Sequence, residues 1–209
     1  MGNTHPLQIT EYHAKYFAHE LTRRLPAESI GKLTATLQDA QVDLNPHQVE
    51  AALFAFKSPL SKGAILADEV GLGKTIEAGI ILSQKWAEQK TKLLIIAPSN
   101  LRKQWSQELS DKFYLPSVIM EAKPFNLEIK SGVPNPFIKN EIVICSYQFA
   151  RAQSRYISQI DWDLVIIDEA HAFRTETNKT YARLATICHG KKVILVTATP
   201  YNNRPSDLL

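Results

Sequence analysis

The chain has 209 residues, 44% of them apolar and 22% charged. That is enough for one domain, or one and a part, with a sizeable core. The net charge of +3 is too small to establish a nucleic-acid partner on its own. The opening MGNTHPLQIT has no basic segment leading into an apolar one, so no secretory signal is visible, and no apolar run approaches the length of a membrane span. Cys145 and Cys188 lie far apart, each beside apolar residues, and read as buried thiols of a reduced compartment rather than a disulfide or metal site.

In chain order, Ile9, Tyr12, Tyr16, Phe17 and Leu21 recur at helical spacing, Pro26 interrupts, and Ile30, Leu33 and Leu37 mark a second helix. Residues 1–43 therefore read as a helical N-terminal extension, an accessory layer on a main domain at 44–209. Asn45 can cap a third helix with Pro46 at its first position, and Val49, Ala52, Leu53 and Phe56 share one face of it. Gln48 lies in its first turn. It is either a solvated side chain or an amide that reads an adenine edge, offering donor and acceptor together.

Ala64 to Ala67 is a short buried strand, Asp68 to Gly73 a loop with two glycines, and Lys74-Thr75 opens an amphipathic helix. Strand, Gly-containing loop, Lys-Thr and helix make up the arrangement that cradles phosphates. Gly71 and Gly73 let the backbone curl so that its N–H groups face an anion, and the helix directs its positive end to the same place. Lys74 can reach the β- and γ-phosphates of a nucleotide, and the Thr75 hydroxyl can ligate Mg²⁺. The strict fingerprint has Gly six residues before the Lys; here that residue is Asp68. A strand-to-helix turn that binds nothing is the alternative.

Five further strands follow: Lys92 to Ala97, Ser117 to Met120, Ile142 to Cys145, Leu164 to Ile167 and Val193 to Val196. After the second, Ser99 or Asn100 can cap a helix that carries Leu101, Trp105 and Leu109. The prolines and glycine of Glu121 to Asn140 predict an irregular loop. Continuous Val/Ile/Leu strands alternating with helices predict an α/β fold with a mostly parallel sheet covered on both faces. In such sheets ligands sit at the carboxyl ends of the strands. There this sequence carries Pro98-Ser99-Asn100, Ser146-Tyr147-Gln148, Asp168-Glu169-Ala170-His171 and Thr197-Ala198-Thr199-Pro200. An Asp after an apolar strand is suited to holding Mg²⁺ in a P-loop nucleotidase, and Glu169 beside Asp168 to taking a proton from water. Paired acids at a helix start are otherwise explained by the helix dipole. His171 is a surface His or a link between nucleotide and a neighbouring strand, which Thr197 and Thr199 could complete.

Gln48, DEVGLGKT (68–75), IIAPSNL (95–101), DEAH (168–171) and TATP (197–200) together resemble a superfamily 2 helicase, and DEVGLGKTIEAG resembles its Swi/Snf-like branch of DNA-dependent ATPases, above all bacterial members. The resemblance covers roughly residues 44–209, and Asp68 in place of Gly is normal in that branch. It implies a three-layer RecA-like lobe that binds ATP with Mg²⁺. Gln48 would contact adenine. Asp68, Glu69, Val70, Gly71, Leu72, Gly73, Lys74 and Thr75 would form the phosphate loop, with Thr75 and Asp168 at Mg²⁺ and Glu169 activating water. His171, Thr197 and Thr199 would couple hydrolysis to movement. Pro98, Ser99, Asn100, Arg102, Ser146, Tyr147 and Gln148 would touch the nucleic-acid backbone, with double-stranded DNA the expected partner; read without the resemblance, Arg102 and Lys103 look like an ordinary solvated helix face. The family's motors have two such lobes, and the second is not in this sequence, so a first lobe acting with a partner lobe is expected, in a bacterial cytoplasm. Two alternatives stay open: the motor of a restriction or RNA-remodelling system, and a nucleotide-dependent binding module without turnover.

Overall fold

The computed structural model describes residues 45–57, 63–67, 74–170 and 179–197. The expected helices before residue 44, the loop Asp68 to Gly73, His171 and Thr199 lie outside the described residues. Six strands form one sheet: β1 (Gly63–Leu66), β2 (Leu93–Ala97), β3 (Ser117–Ile119), β4 (Ile142–Ser146), β5 (Leu164–Asp168) and β6 (Val193–Val196), in the order β1-β6-β5-β2-β4-β3. All five ladders are parallel, as buried apolar strands linked by helical crossovers require. Each predicted strand is present within a residue or two of its expected ends.

The pleat sorts the strands' side chains onto two faces. Leu93, Ile95, Ile142, Ile144, Leu164 and Ile166 join one core with the helices α1 (Pro46–Lys57), α2 (Lys74–Ala87) and α3 (Arg102–Phe113). Leu94, Ile96, Val143, Cys145, Val165 and Ile167 join the other with α4 (Ala122–Lys130), α5 (Tyr147–Ala152), α6 (Ser154–Ile157) and α7 (Lys179–Cys188). The three layers are those of a RecA-like α/β fold. Helix α2 lies so close to α3 that a Cβ on Gly79 would fall 2.2 Å from the Phe113 ring, so only glycine fits there without moving the ring. Both cysteines are free thiols; burial pushes Cys145 up to about 12 and Cys188 up to about 11. Among the described residues, no helix is long and apolar enough to cross a membrane.

Two local expectations are corrected. Residues 122–130, expected to be irregular, form α4. Pro124 is its third residue, in a first turn whose N–H groups have no helical partner to lose. Irregular backbone is confined to the residues after 130. Neither Ser99 nor Asn100 caps α3: the cap is Leu101, without a side-chain bond, inside a turn closed by the Leu101 N–H on Pro98 O at 3.0 Å. The Ser99 carbonyl instead accepts from Arg102 Nε at 3.1 Å.

Candidate active site

Register sets the site's width. Val196 of β6 stands opposite Leu66 of β1 on one side and Asp168 of β5 on the other. The strand that feeds the phosphate loop and the strand that presents Asp168 are therefore two ladder spacings apart, about 10 Å. The Thr197 N–H extends the row by donating to Leu66 O at 3.0 Å. Thr197 is buried between the two strand ends that carry the chemistry.

A cleft of about 310 Å³ opens at these ends, with Lys74, Thr75, Trp105, Asp168, Glu169 and Val196 among the residues that line it. Lys74 and Thr75 are the first residues of α2, where the unpaired backbone N–H groups and the helix dipole both favour an anion. Trp105 donates its indole N–H to Asp168 Oδ2 at 2.8 Å, a bond buried from solvent. The Glu169 N–H donates to Oδ1 of the same carboxylate at 2.8 Å. Burial raises Asp168 above the ordinary carboxylate range and the neighbouring Glu169 charge adds to the rise; the Trp105 bond, the Glu169 backbone N–H and the Lys74 ammonium pull the other way. Glu169 itself has φ of +52°, in the left-handed region that non-glycine residues occupy at a cost. That turn lets adjacent residues from one strand end both face the cleft.

The structure thus brings Lys74, Thr75, Asp168 and Glu169 together. Trp105 joins them, and periodicity alone had put it only on a core-facing helix stripe. The signal was available: a buried indole N–H needs an acceptor, and the polar strand ends supply the few that lie near this helix. Gln48 is not among the residues that line this cleft. It is buried rather than solvated, and its Oε1 accepts from the Asn45 N–H at 3.2 Å, the returning half of a capping box at the start of α1.

The strand ends expected to meet nucleic acid divide in two. Ser99, Asn100 and Gln148 are exposed, and Ser99 Oγ lies 3.5 Å from Gln148 Oε1, so β2 and β4 present one joined polar edge with Pro98 beside it. Ser146 and Tyr147 are engaged inward, and Arg102 is paired at the surface. Ser146 is buried and its Oγ caps α5 by accepting from the Phe149 N–H at 3.2 Å. Tyr147 is buried, and burial, then the Asp168 and Glu169 charges, push its phenol well above its usual value. Arg102 is ion-paired at the surface with the half-exposed Glu121 at 2.7 Å.

Two comparisons bear on this arrangement. The family model for the SNF2-related domain matches residues 16–209. The chain belongs to the SNF2-related domain family. Its fold is similar to the SWI2/SNF2 ATPase core of Sulfolobus solfataricus, solved in complex with double-stranded DNA, with a TM-score of 0.67 and 26% identity over 81% of this chain. The match covers 35% of that protein, so the chain spans about a third of the SNF2 core it resembles. The likeness to a superfamily 2, Swi/Snf-like first lobe read from the motifs is thereby established, together with the RecA-like fold.

Proposed function

We propose that this chain is the ATP-binding lobe of a DNA-dependent ATPase, which hydrolyses ATP to move along or remodel duplex DNA in concert with a second RecA-like lobe. The observation that carries this reading is the shared cleft of Lys74, Thr75, Asp168 and Glu169, whose donors match a Mg-nucleotide: an ammonium and a helix start for phosphates, a hydroxyl and a carboxylate for a hard cation. Membership of the SNF2-related family supports it.

In this mechanism the loop Asp68 to Gly73 and Lys74 hold the phosphate chain, with Lys74 meeting the β- and γ-oxygens. Thr75 and Asp168 would hold Mg²⁺, which when bound neutralises charge developing on the transferred phosphoryl group. Trp105 and the Glu169 N–H hold the two Asp168 oxygens in a fixed orientation, as an outer shell does for a ligating carboxylate. Glu169 orients the attacking water and takes its proton. Thr197, tied to Leu66 across β6, is suited to passing the state of the phosphate site to its neighbours, with His171 and Thr199 in the same role. The exposed edge of Ser99, Asn100 and Gln148 faces the nucleic-acid backbone. Gln48 keeps its proposed part in adenine recognition at the expense of its cap on α1. Free, unpaired thiols suit the proposed setting, a bacterial cytoplasm.

The direct test is calorimetry of Mg-ATP and Mg-ADP binding to residues 1–209 and to Lys74→Ala. Affinity should fall at least tenfold in the variant, since a charge-assisted contact contributes about 1.5–3 kcal/mol. Equal affinities would remove the phosphate-binding role.

A further inference from the structure

On the opposite face of the sheet from α2 and α3, helices α5, α6 and α7 enclose an open cavity of about 570 Å³ lined by Arg151, Ala152, Ser154, Arg155 and Arg183. All three arginines are exposed. We propose that this cavity is a second nucleic-acid contact, in which the Arg155 and Arg183 guanidinium groups receive backbone phosphates away from the strand-end edge of Ser99 and Gln148.

Charge segregation is the first support. The chain as a whole nearly balances, with 24 basic and 21 acidic residues. Residues 147–160 and 179–192, which contain these helices, carry Arg151, Arg155, Lys179, Arg183, Lys191 and Lys192 and no Asp or Glu, and of these Lys191 is paired with Asp161, just beyond the first segment. Among the described residues, neither Arg155 nor Arg183 has an ion-pair partner, whereas Lys139, which meets Glu128 of α4 on the same face of the sheet, is neutralised. A concentrated field of one sign at a concave surface attracts a polyanion, and the planar guanidinium fork matches phosphate oxygens better than an ammonium does.

Rigidity is the second. Phe149 and Tyr156, on the same two short helices as Arg151 and Arg155, pack edge-on against Phe125 with centroids 5.7 and 5.2 Å away. Asn135 Nδ2 donates to Tyr156 O at 2.8 Å, and Trp162 Nε1 to Ile157 O at 2.9 Å. The backbone beneath the arginines is held from several sides, so little ordering is left to oppose binding. Helix α5 begins at Ser146, the end of β4. A duplex seated on the strand ends thus has its flank beside this cavity, some 8 Å along the helix at Arg151.

This inference rests on the nucleic-acid partner proposed above. The test is fluorescence-anisotropy titration of labelled duplex DNA with the whole 209-residue chain at several salt concentrations, for wild type, Arg155→Ala/Arg183→Ala and Arg155→Lys/Arg183→Lys. Each lost phosphate contact lowers the slope of log K against log salt by about 0.9. The alanine pair should lower it by about 2, and the lysine pair should keep it. Nucleotide affinity should be the same in all three. An unchanged slope in the alanine pair overturns the proposal while leaving the strand-end reading intact. Should that variant instead lose only its binding to poly-L-glutamate, the cavity's partner is an acidic polypeptide and the proposal is equally overturned. If the wild type binds nucleotide but no duplex at any salt, the proposed partner itself fails, and this contact with it.

Discussion

Trp105→Phe isolates the hydrogen bond that orients Asp168. Trp105 is 2% exposed and Asp168 7% exposed, so water cannot readily replace the indole N–H at Oδ2. A hydrogen bond to a charged group is worth about 1.5–3 kcal/mol. Removing the bond should therefore raise Asp168, already lifted by burial, further still. The sign follows: a carboxyl raised in the folded state stabilises the fold when protonated, and that contribution is lost as pH rises through its folded pKa. The smaller Phe ring also leaves a void, whose cost is independent of pH. Thermal melts across the acid-to-neutral range separate the two effects. The melting temperature lost in Trp105→Phe should be smallest in acid and grow toward neutral pH by roughly 3–12 °C, taking about 2–4 °C per kcal/mol for a chain of this size. The Mg²⁺ dependence of nucleotide binding should weaken in the same variant. A melting deficit that is constant across this range would mean that the void accounts for everything and that Trp105 does not hold the carboxylate.

In any form of the protein that turns over ATP, Glu169→Gln should bind nucleotide within about twofold of wild type and lose roughly 10²–10⁴ in turnover, the usual contribution of a general base; an unchanged phosphate-release rate would exclude Glu169 from that role. Residues 1–209 alone should hydrolyse ATP slowly and respond little to DNA, because an arginine supplied from another lobe is worth roughly 10³–10⁵ in rate. Strong steady-state phosphate release that duplex DNA further stimulates, from residues 1–209 alone, would refute this. Tyr114, exposed and at φ of +53° after α3, adopts a left-handed cap conformation that costs a non-glycine residue about 1–2 kcal/mol. Tyr114→Gly should raise the unfolding free energy from urea titration by about 1 kcal/mol, and a lower value would show that the ring's contacts outweigh the strain.

The strands were legible because a parallel strand buried on both faces is a continuous apolar word: LLIIA, IVICS and LVIID are wholly buried. Lys74, Thr75, Asp168 and Glu169 were legible because their chemistry sits in short local motifs. Other features depended on contacts that spacing does not encode. Pro124 reads as a breaker unless its place in the first turn of α4 is known. Helices α5 and α6, at six and four residues, are too short for a periodicity to emerge. The pairing of Arg102 with Glu121 and of Trp105 with Asp168 spans 19 and 63 residues of chain. Strand order is of the same kind: nothing in the apolar runs says that the sixth strand lies between the first and the fifth.

That insertion has a consequence for how the lobe comes into being. Among the described residues, strand β1 has one neighbour, β6, and the residues they pair, such as Gly63 and Val193, are about 130 apart in the chain. Closing so long a loop is slow relative to the local βα pairings of β2, β4 and β3. During synthesis, the half of the cleft that carries Lys74 and the half that carries Asp168 are both translated well before the strand that joins them. Nucleotide affinity therefore reports the last long-range pairing to form. A Mg-nucleotide that favours the closed sheet stabilises it by mass action, so a bound nucleotide would act as a ligand that helps to complete folding.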